Sequence, residues 1–447
     1  MKRVFVAALL LLTISTTAAA EPRILSMKDR AETIDRLLVD RVQTLLPGLM
    51  RQTGIDMWVI ISREYNEDPV IKTFLPARWF AARRTTVLMI FDRGDGQPLE
   101  TLSVSRYAVG DIFEGAWNKE EDGEQWAHLG RLIAERDPER IGLNYSDIWS
   151  QADGIAHSEY ELFREALPEN LHDRIVSAEM LAVGWLETRS AAEMEIYPHI
   201  VRIAHDIIAE GFSEKVIQPG VTTTDDVSWW YRDRIRELKL STWFHPSVSI
   251  DRAEMPEFTM SDWALSRYES DVILPGDLLH VDFGITYLRL NTDTQQHAYV
   301  LKPGETDAPD ELKIALANGN RLQDILTDNI VEGRTGNDIL RMSLNQAKDE
   351  GITPSIYTHP IGYHGHAAGT TIGMWDQQDG VPGDGDYPIQ PNTAYSIELY
   401  AETDIPSWDK SVRIRLEEDA FYDGKSTWYI DGRQKTFLLI PRLPAVQ

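Results

Sequence analysis

Two adjoining runs of sequence decide the fold: Leu278-Leu279-His280-Val281-Asp282-Phe283-Gly284, and residues 285–294, which read Ile-Thr-Tyr-Leu-Arg-Leu-Asn-Thr-Asp-Thr. Both runs are typical of β-strands. A hairpin that pairs them would have its centre between Tyr287 and Leu288. Asp282 and Asp293 are equidistant from that centre, so their Cβ atoms would face each other about 5 Å apart. Two facing carboxylates repel each other unless a cation lies between them, and this predicts a divalent metal.

A second pair of acidic residues repeats this arrangement. Residues 394–399 and 412–418 are predicted strands on either side of a turn at residues 404–408. Glu398 and Glu417 are symmetric about the middle of that turn, near residues 407 and 408. Glu417 and Glu418 point to opposite faces of their strand, so only one of them can be an inward ligand. Acidic residues are common on solvated strands, but two such hairpins in one chain favour a metal site.

A cluster of histidines is the third candidate part of the site. Three of the 11 histidines, His359, His364 and His366, lie within eight residues of one another. The glycines at 362, 365 and 369 would let backbone and side chains approach a ligand closely. A cluster of surface histidines without a ligand is the alternative interpretation.

The amino terminus has the features of a cleavable secretory signal over residues 1–20. Lys2 and Arg3 precede an apolar run at residues 4–14, and residues 18–20 (Ala-Ala-Ala) provide an A-x-A cleavage site. The run is shorter than the roughly 20 residues that span a bilayer. We therefore expect a periplasmic or secreted protein without a stable membrane anchor; an uncleaved anchor is the alternative.

The composition excludes several classes of function. The chain of 447 residues has a net charge of −27, so its surface repels nucleic acid, and we expect no nucleic-acid partner. It contains no cysteine, which excludes disulfides, a thiol nucleophile and a thiolate zinc site. Any metal must therefore bind to carboxylate, imidazole, carbonyl or water.

The order of the predicted elements indicates two domains and an α+β fold class. Strands alternate with helices to about residue 180 and predict a smaller α/β domain over residues 21–186. Predicted helices at 191–215, 223–238, 309–327 and 335–350 alternate with strand pairs, which predicts an α+β domain over residues 187–447. Pro198 either kinks the first of these helices or marks its true start.

The candidate ligands resemble a known set in their order and spacing: Asp282, Asp293, His359, Glu398 and Glu417. This set is similar to that of the pita-bread metallopeptidases, which include methionine aminopeptidase, aminopeptidase P, prolidase and the non-peptidase creatinase. The resemblance covers about residues 187–440. The two-domain arrangement is similar to aminopeptidase P, prolidase and creatinase, and it implies a creatinase-like N-terminal domain before a pita-bread catalytic domain.

Two motifs carry the resemblance further. His359-x-x-Gly362-x-x-x-His366 resembles the ligand histidine of the family and its second histidine seven residues later. Residues 415–419 (Arg-Leu-Glu-Glu-Asp) resemble the R-I-E-E-D strand of the family. This likeness selects Glu417 over Glu418, and His359 over the other two histidines, as the metal ligands.

The resemblance implies a centre of two divalent metals. Asp282 would chelate one metal with both oxygens, Asp293 and Glu417 would bridge, and His359 and Glu398 would each bind one metal. Four carboxylates and one imidazole suit Mn²⁺ first, with Zn²⁺, Co²⁺ or Fe²⁺ as alternatives. The metals would share a hydroxide nucleophile.

The resemblance also implies roles and a substrate. Glu398 would carry the proton of the nucleophile, His366 would hydrogen-bond the scissile carbonyl or the oxyanion, and Arg415 would orient a bridging carboxylate. The expected activity is that of an Xaa-Pro aminopeptidase or Xaa-Pro dipeptidase acting on a peptide or dipeptide. A homodimer is a further implication of the likeness.

Two departures from the family pattern bear on specificity. Proline-directed members have a histidine about 17 residues before the first ligand, where residues 262–268 contain none, and another four residues before the ligand histidine, where Ser355 stands. His245 and His364 are the candidates to replace them in substrate binding; a structural role in its loop is the alternative for His245. Two other functions stay open: a creatinase-like hydrolase of a small C–N bond, and a metal-free peptide-binding relative.

Overall fold

The computed structural model describes residues 23–94, 96–254 and 271–442. The predicted secretory signal at residues 1–20 lies outside these described residues, and so does the histidine-free segment at residues 262–268. Within the described ranges, no helix has the length and apolarity needed to cross a membrane.

The first part of the described chain builds a six-stranded mixed sheet with helices around it. The strand order is β4-β3-β2-β1-β5-β6, with β1 antiparallel to β2 and parallel to β5. The helices and strands of this part are α1 (Met27–Thr44), α2 (Leu46–Thr53), β1 (Met57–Arg63), α3 (Pro69–Phe74), β2 (Thr85–Phe91), β3 (Glu100–Ser103), β4 (Glu114–Gly115), α4 (Lys119–Asp122), α5 (Gln125–Arg136), β5 (Ile141–Leu143), α6 (His157–Ala166), β6 (Ile175–Ser177) and α7 (Glu179–Glu187).

The rest of the described chain forms several smaller sheets and two pairs of helices. Two sheets have four strands each, in the orders β19-β11-β8-β7 and β13-β14-β17-β18; a third has the order β12-β15-β16, and β9 pairs with β10. The elements of this part are α8 (Ala191–Gly211), α9 (Thr224–Glu237), β7 (Ser247–Asp251), β8 (Leu278–Phe283), β9 (Thr286–Tyr287), β10 (Leu290–Asn291), β11 (Thr294–Val300), α10 (Asp310–Asn329), α11 (Gly336–Asp349), β12 (Thr353–Ile356), β13 (His359–Pro360), β14 (Thr393–Ser396), β15 (Leu399–Ile405), β16 (Lys410–Leu416), β17 (Asp419–Tyr422), β18 (Thr427–Tyr429) and β19 (Leu438–Ile440).

Each helix pair covers one apolar face of the strands. Ile200 and Ile203 of α8 share a buried cluster with Val281 of β8. Leu316 of α10 shares another with Ile414 of β16. Because side chains alternate along a strand, covering one face of β8 and β16 with helices leaves their other face to line a cleft.

The α+β class and the four predicted helices of the second part are confirmed. Thr223 and Asp226 form a capping box at the start of α9. Pro198 lies inside α8, which starts earlier, at Ala191, and ends at Gly211 rather than at residue 215. The boundary near residue 187 between two domains stays a prediction.

The predicted centre of the first hairpin was wrong by one residue. Asp282 pairs with Gln295 across the ladder, and Tyr287 pairs with Leu290, so the centre lies between Leu288 and Arg289. Both turn residues have positive φ, 53° and 69°. This left-handed conformation suits the twist of a two-residue hairpin turn, although Leu and Arg rarely adopt it. The shift places Asp293 diagonally across from Asp282, not directly opposite it.

The first part of the chain supports the loop that carries His366. Gln151 Nε2 donates to the His366 carbonyl at 2.8 Å, and Trp149 Nε1 donates to the Gly369 carbonyl at 3.3 Å. Arg41 of α1 also forms a buried ion pair of 2.6 Å with Glu193 of α8. The first two contacts fix the histidine loop from outside the sheets that carry the acidic residues, and the ion pair joins α1 to α8.

A buried ion-pair network fastens α8 to the end of β16. His205 lies between two carboxylates: its Nε2 donates to Glu418 Oε2 at 2.7 Å and its Nδ1 donates to Asp431 Oδ2 at 2.9 Å. Burial alone would lower the pKa of His205, but Glu418 and Asp431 raise it to about 10. The imidazolium is therefore part of the folded structure at neutral pH.

Replacing His205 should destabilise the fold in a pH-dependent way. The folded pKa exceeds the unfolded value of about 6.5, so this stabilisation is complete below about pH 6.5 and is lost as the pH rises through 10. We expect His205→Gln to lower the free energy of unfolding by about 3 kcal/mol at pH 6 and by much less at pH 10. Urea unfolding at both pH values measures this. His199→Gln, at a histidine bonded to the Arg23 carbonyl, is the control; equal losses in the two variants would contradict the assignment.

Candidate metal centre

The cleft between the sheets gathers the predicted acidic residues. Leu279, Val281 and Phe283 of β8 pack in the helix-covered core. Asp282 points to the opposite face and lines a cleft with an empty volume of about 1080 Å³, together with Glu398. The strand alternation that buries the apolar residues therefore presents the carboxylates to the cleft.

Asp282 and Asp293 converge in spite of the corrected register. Oxygens of Asp282, Asp293 and Glu417 lie within 4.8 Å of one another. The ladder ends at Phe283, and a Cβ atom at Gly284 would lie 2.4 Å from the Thr292 carbonyl oxygen. The glycine therefore lets the two strands close together just where Asp293 enters the site.

Glu398 and Glu417 lie opposite each other, as their spacing predicts. Leu399 pairs with Leu416 on one side of them, and Ser396 pairs with Asp419 on the other, in the same register. Both ladders are interrupted between these pairs. The interruption ends one sheet and begins the next, so the two glutamates lie at the junction between the sheets.

Glu417 and Glu418 point to opposite faces, and the structure distinguishes them. Glu417 lies with the other candidate ligands. Glu418 points away, where it binds His205 and accepts hydrogen bonds from Gln296 Nε2 at 2.9 Å and from the Gln434 backbone N–H at 2.9 Å. The carboxylate of Glu418 is therefore part of the structural network and not of the cleft.

His359 brings an imidazole nitrogen to the carboxylates. Its Nε2 lies 3.8 Å from Asp293 Oδ2 and 3.7 Å from Glu417 Oε1. Its Nδ1 lies 3.0 Å from the Pro360 carbonyl and donates to it. This contact leaves Nε2, which faces the carboxylates, as the nitrogen that can bind a metal when the ring is neutral.

His366 lies beside the same group. Its ring centroid is 4.7 Å from that of His359 and 5.1 Å from that of Trp243. Its nitrogen can come within 4.8 Å of ligand atoms of Asp293 and His359, yet its side chain is exposed. His366 can therefore contact either a metal or a bound substrate.

The donor atoms fit divalent metal ions. Three overlapping groups lie within 4.8 Å: Asp282, Asp293 and Glu417; His359, Glu398 and Glu417; and Asp293, His359 and His366. Among the described residues, His359 Nε2 and Asp293 Oδ1 are buried without a hydrogen-bond partner. Buried polar atoms normally have a partner, and ligands about 2.1 Å from one ion lie roughly 3–4 Å apart. Both observations favour ions at this place.

The pKa shifts of the carboxylates also favour metal ions at this place. Burial raises the pKa of Asp293 well above its usual value, and repulsion from Glu417 and Asp282 raises it further. Burial and the same two neighbours also raise the pKa of Glu398. Holding these carboxylates ionised side by side requires compensating positive charge.

Neutral donors around the carboxylates were not identified from the sequence. Gln295 Nε2 donates to Glu398 Oε1 and to Glu417 Oε2, each at 2.8 Å. Ser396 Oγ donates to Glu417 Oε1 at 2.6 Å. Gln295 follows Asp293 by two positions, and side chains two positions apart in extended chain point to the same face. This alternation was the feature of the sequence that could have predicted that Gln295 faces the carboxylates.

The remaining predicted residues lie at different distances from this group. His245 contacts α9, with its Nδ1 3.2 Å from Arg232 Nη1 and its ring 5.0 Å from that of Trp229. Burial lowers the pKa of His364 to about 4, and the charges of Lys72 and Arg189 add to this effect. Neither histidine belongs to a metal-binding group of the described residues.

Ser355 and Arg415 both line the cleft. Ser355 lies on β12, opposite Tyr400 of β15. Arg415 is half-buried, its Nη2 donates to Ser249 Oγ at 3.1 Å, and its backbone N–H donates to His297 Nε2 at 3.0 Å. The role of Arg415 in orienting a bridging carboxylate stays a prediction.

Comparisons with known proteins agree with this geometry. Residues 199–421 match the family described as Metallopeptidase family M24. No curated protein matches the sequence significantly. Among solved structures, the chain is similar to the X-Pro aminopeptidase from Thermotoga maritima MSB8, with a TM-score of 0.61 and 17% identity over 88% of this chain and 99% of that one.

Two further solved structures have the same fold. The Xaa-Pro dipeptidase from Bacillus anthracis has a TM-score of 0.53 and 17% identity over 93% of this chain and 100% of that one. The dipeptidase PepE from Mycobacterium ulcerans has a TM-score of 0.55 and 14% identity over 94% of this chain and 100% of that one. These likenesses extend over nearly the whole chain and confirm the predicted pita-bread fold.

Removing one carboxylate charge should reduce the stabilisation that metal confers. We expect the wild type to gain about 2.7 kcal/mol in the free energy of unfolding with Mn²⁺ at 100 times its Kd. Asp293→Asn should gain much less free energy of unfolding from Mn²⁺ and should retain less metal. With a chelator present it should be at least as stable as the wild type, because the substitution relieves repulsion between the carboxylates. Unfolding curves and elemental analysis measure both effects.

The matched control is Asp277→Asn, which removes a buried carboxylate that pairs with Arg252 outside the metal groups. It should lower stability and leave the gain from Mn²⁺ unchanged. A wild-type gain and full metal content in Asp293→Asn would refute the assignment of Asp293.

Proposed function

The chain belongs to metallopeptidase family M24, and on this premise we propose that it is a dinuclear-metal exopeptidase of the Xaa-Pro aminopeptidase or Xaa-Pro dipeptidase type. The observation that carries the proposal is the convergence of Asp282, Asp293, His359, Glu398 and Glu417 in overlapping groups of ligand atoms. Asp282 and Glu398 of this set line the cleft. The relatives of known structure include proteins described as an X-Pro aminopeptidase and an Xaa-Pro dipeptidase.

Two ions are supported by the way the ligand groups overlap. Glu417 belongs both to the group with Asp282 and Asp293 and to the group with His359 and Glu398. A carboxylate has two oxygens, so Glu417 can bind an ion with each. Four carboxylates and one imidazole are a donor set that suits Mn²⁺, with Zn²⁺, Co²⁺ or Fe²⁺ as alternatives.

The residues of the chain divide the work of peptide hydrolysis. When bound, the ions supply Lewis acidity and an activated water. Glu398 lines the cleft, so its carboxylate can accept a proton from the attacking water and return it to the leaving amine. His366, exposed beside His359, can donate a hydrogen bond to the carbonyl oxygen as negative charge develops there.

The walls of the cleft suit a short peptide. Tyr357, Trp375 and Tyr400 provide aromatic surface next to Glu398. Such walls can pack against a proline ring or another apolar side chain. Ser355 lines the same cleft at the place where proline-directed members of the family have a histidine, so this wall of the cleft differs from theirs.

We place this activity outside the cytoplasm, in the periplasm or as a secreted enzyme. The support is the charged, apolar and small-residue pattern of residues 1–20. The absence of cysteine is compatible with an oxidising compartment, since no thiol is exposed to oxidation.

A substrate panel combined with metal analysis tests the function. Chelation should reduce hydrolysis of Xaa-Pro dipeptides or Xaa-Pro-Yaa tripeptides at least about 100-fold, because the metals provide the nucleophile, and Mn²⁺ or Co²⁺ should restore it. Undiminished activity in metal-free protein would exclude the mechanism. Cleavage of small C–N substrates but not of peptides would favour the creatinase-like alternative. Absence of both metal and activity would favour a binding protein.

His366→Ala separates a substrate contact from a metal ligand. We expect kcat to fall about 100- to 1000-fold, the usual effect of losing one oxyanion donor, while two metals stay bound. Steady-state kinetics and elemental analysis on the same preparation measure this. Unchanged kcat would remove His366 from the mechanism, and loss of one metal would make it a ligand. His199→Ala, at a histidine bonded to the Arg23 carbonyl, is the control and should leave kcat unchanged.

A further inference from the structure

The side-chain amide of Gln295 donates hydrogen bonds to two of the candidate metal ligands, Glu398 and Glu417. Gln295 lies on β11 and is 6% exposed, and its backbone exchanges two hydrogen bonds with that of Glu417, at 3.0 and 3.2 Å. We propose that Gln295 is a positioning residue that holds the carboxylates of Glu398 and Glu417 for metal binding, and that His280 fixes the orientation of its amide. The proposal rests on the metal centre of the proposed function.

The amide of Gln295 uses both of its N–H groups on metal-binding carboxylates. Nε2 lies 2.8 Å from Glu398 Oε1 and 2.8 Å from Glu417 Oε2. An amide NH₂ has two hydrogens in one plane, so one group can hold the two carboxylates at a fixed separation. Each carboxylate oxygen has more than one lone pair, so these bonds leave acceptor sites for an ion.

Position 295 requires an uncharged hydrogen-bond donor. A lysine or arginine would place a positive charge beside the carboxylates and compete with the metals for them. An aspartate or glutamate would add another negative charge to a buried group that already contains four carboxylates. An amide stabilises the carboxylates through hydrogen bonds to ionised acceptors without changing the net charge.

His280 decides which way the amide points. Its Nε2 lies 2.8 Å from Gln295 Oε1, and the ring is 5% exposed. Because Nε2 of Gln295 already faces the two carboxylates, Oε1 must accept, and His280 must carry its proton on Nε2. Its Nδ1, 3.5 Å from Ser249 Oγ, is then free to accept. Flipping the amide would set its oxygen against both glutamates.

The neighbouring glutamine provides a matched control. Gln296 is 8% exposed and its Nε2 donates to Glu418 Oε1 at 2.9 Å. It therefore has the same side chain on the adjacent position, with a hydrogen bond to a buried glutamate, but on the face away from the cleft. Gln295→Met and Gln296→Met should lower stability alike, whereas only Gln295→Met should alter metal binding.

Calorimetric titration of metal-free protein with Mn²⁺ tests the proposal. We expect Gln295→Met to weaken Mn²⁺ binding about 10- to 100-fold, the usual effect of losing a partner of a metal ligand, and Gln296→Met to bind as the wild type does. His280→Phe alone should weaken Mn²⁺ binding. When it is added to Gln295→Met it should cause no further loss of Mn²⁺ affinity, because His280 acts through the Gln295 amide.

Each contrary result has a distinct meaning. Wild-type affinity in Gln295→Met, or equal losses in Gln295→Met and Gln296→Met, would overturn the inference and leave the metal centre standing. If Gln295→Met does not fold, His280→Phe decides, and wild-type Mn²⁺ affinity in that variant overturns the inference. A wild type that binds no Mn²⁺, Zn²⁺, Co²⁺ or Fe²⁺ would instead overturn the proposed function.

Discussion

Mutual repulsion among four closely spaced carboxylates constrains the structure around the cleft. Asp282 lies on β8, whereas Asp293, Glu398 and Glu417 lie between strands, and overlapping groups of their oxygens lie within 4.8 Å. Taking a charge out of water costs several kcal/mol for each ion, even after relaxation. Such a group persists only if hydrogen-bond donors and positive charge compensate it. Residues around the cleft supply the hydrogen-bond donors, and bound metal ions would supply the positive charge.

The surrounding sheets place rigid apolar structure behind every charged side chain. Two helix pairs bury the outer faces of β8 and β16, and the inner faces carry the ligands. The ladder that continues from β15 and β16 to β14 and β17 is interrupted over residues 397–398 and 417–418, where Glu398 and Glu417 lie. Gln295 and Ser396 donate to these glutamates, while His205 neutralises the outward-facing Glu418. Cleft and core therefore use opposite faces of the same strands.

Much of this arrangement followed from spacing, and the failures have physical causes. The second hairpin was predicted correctly because its acidic residues are symmetric about a proline-containing turn. The first hairpin was misaligned by one residue because Leu288 and Arg289 both adopt the left-handed conformation in its turn, which neither residue type usually does. Gln295 was missed because its side chain is uncharged, so charge repulsion does not point to it, and its importance appears only when β11 meets Glu417. The role of His245 and His364 in substrate binding stays a prediction, because it depends on loop packing that no local pattern encodes.

The central claim is that two divalent ions occupy the space between these side chains. Anomalous diffraction from crystals grown with Mn²⁺ tests it most directly, because the signal locates the ions without reference to activity. We expect two anomalous peaks, one among Asp282, Asp293 and Glu417 and one among His359, Glu398 and Glu417. No peak, a single fully occupied peak at saturating Mn²⁺, or ions held mainly by other residues would contradict it.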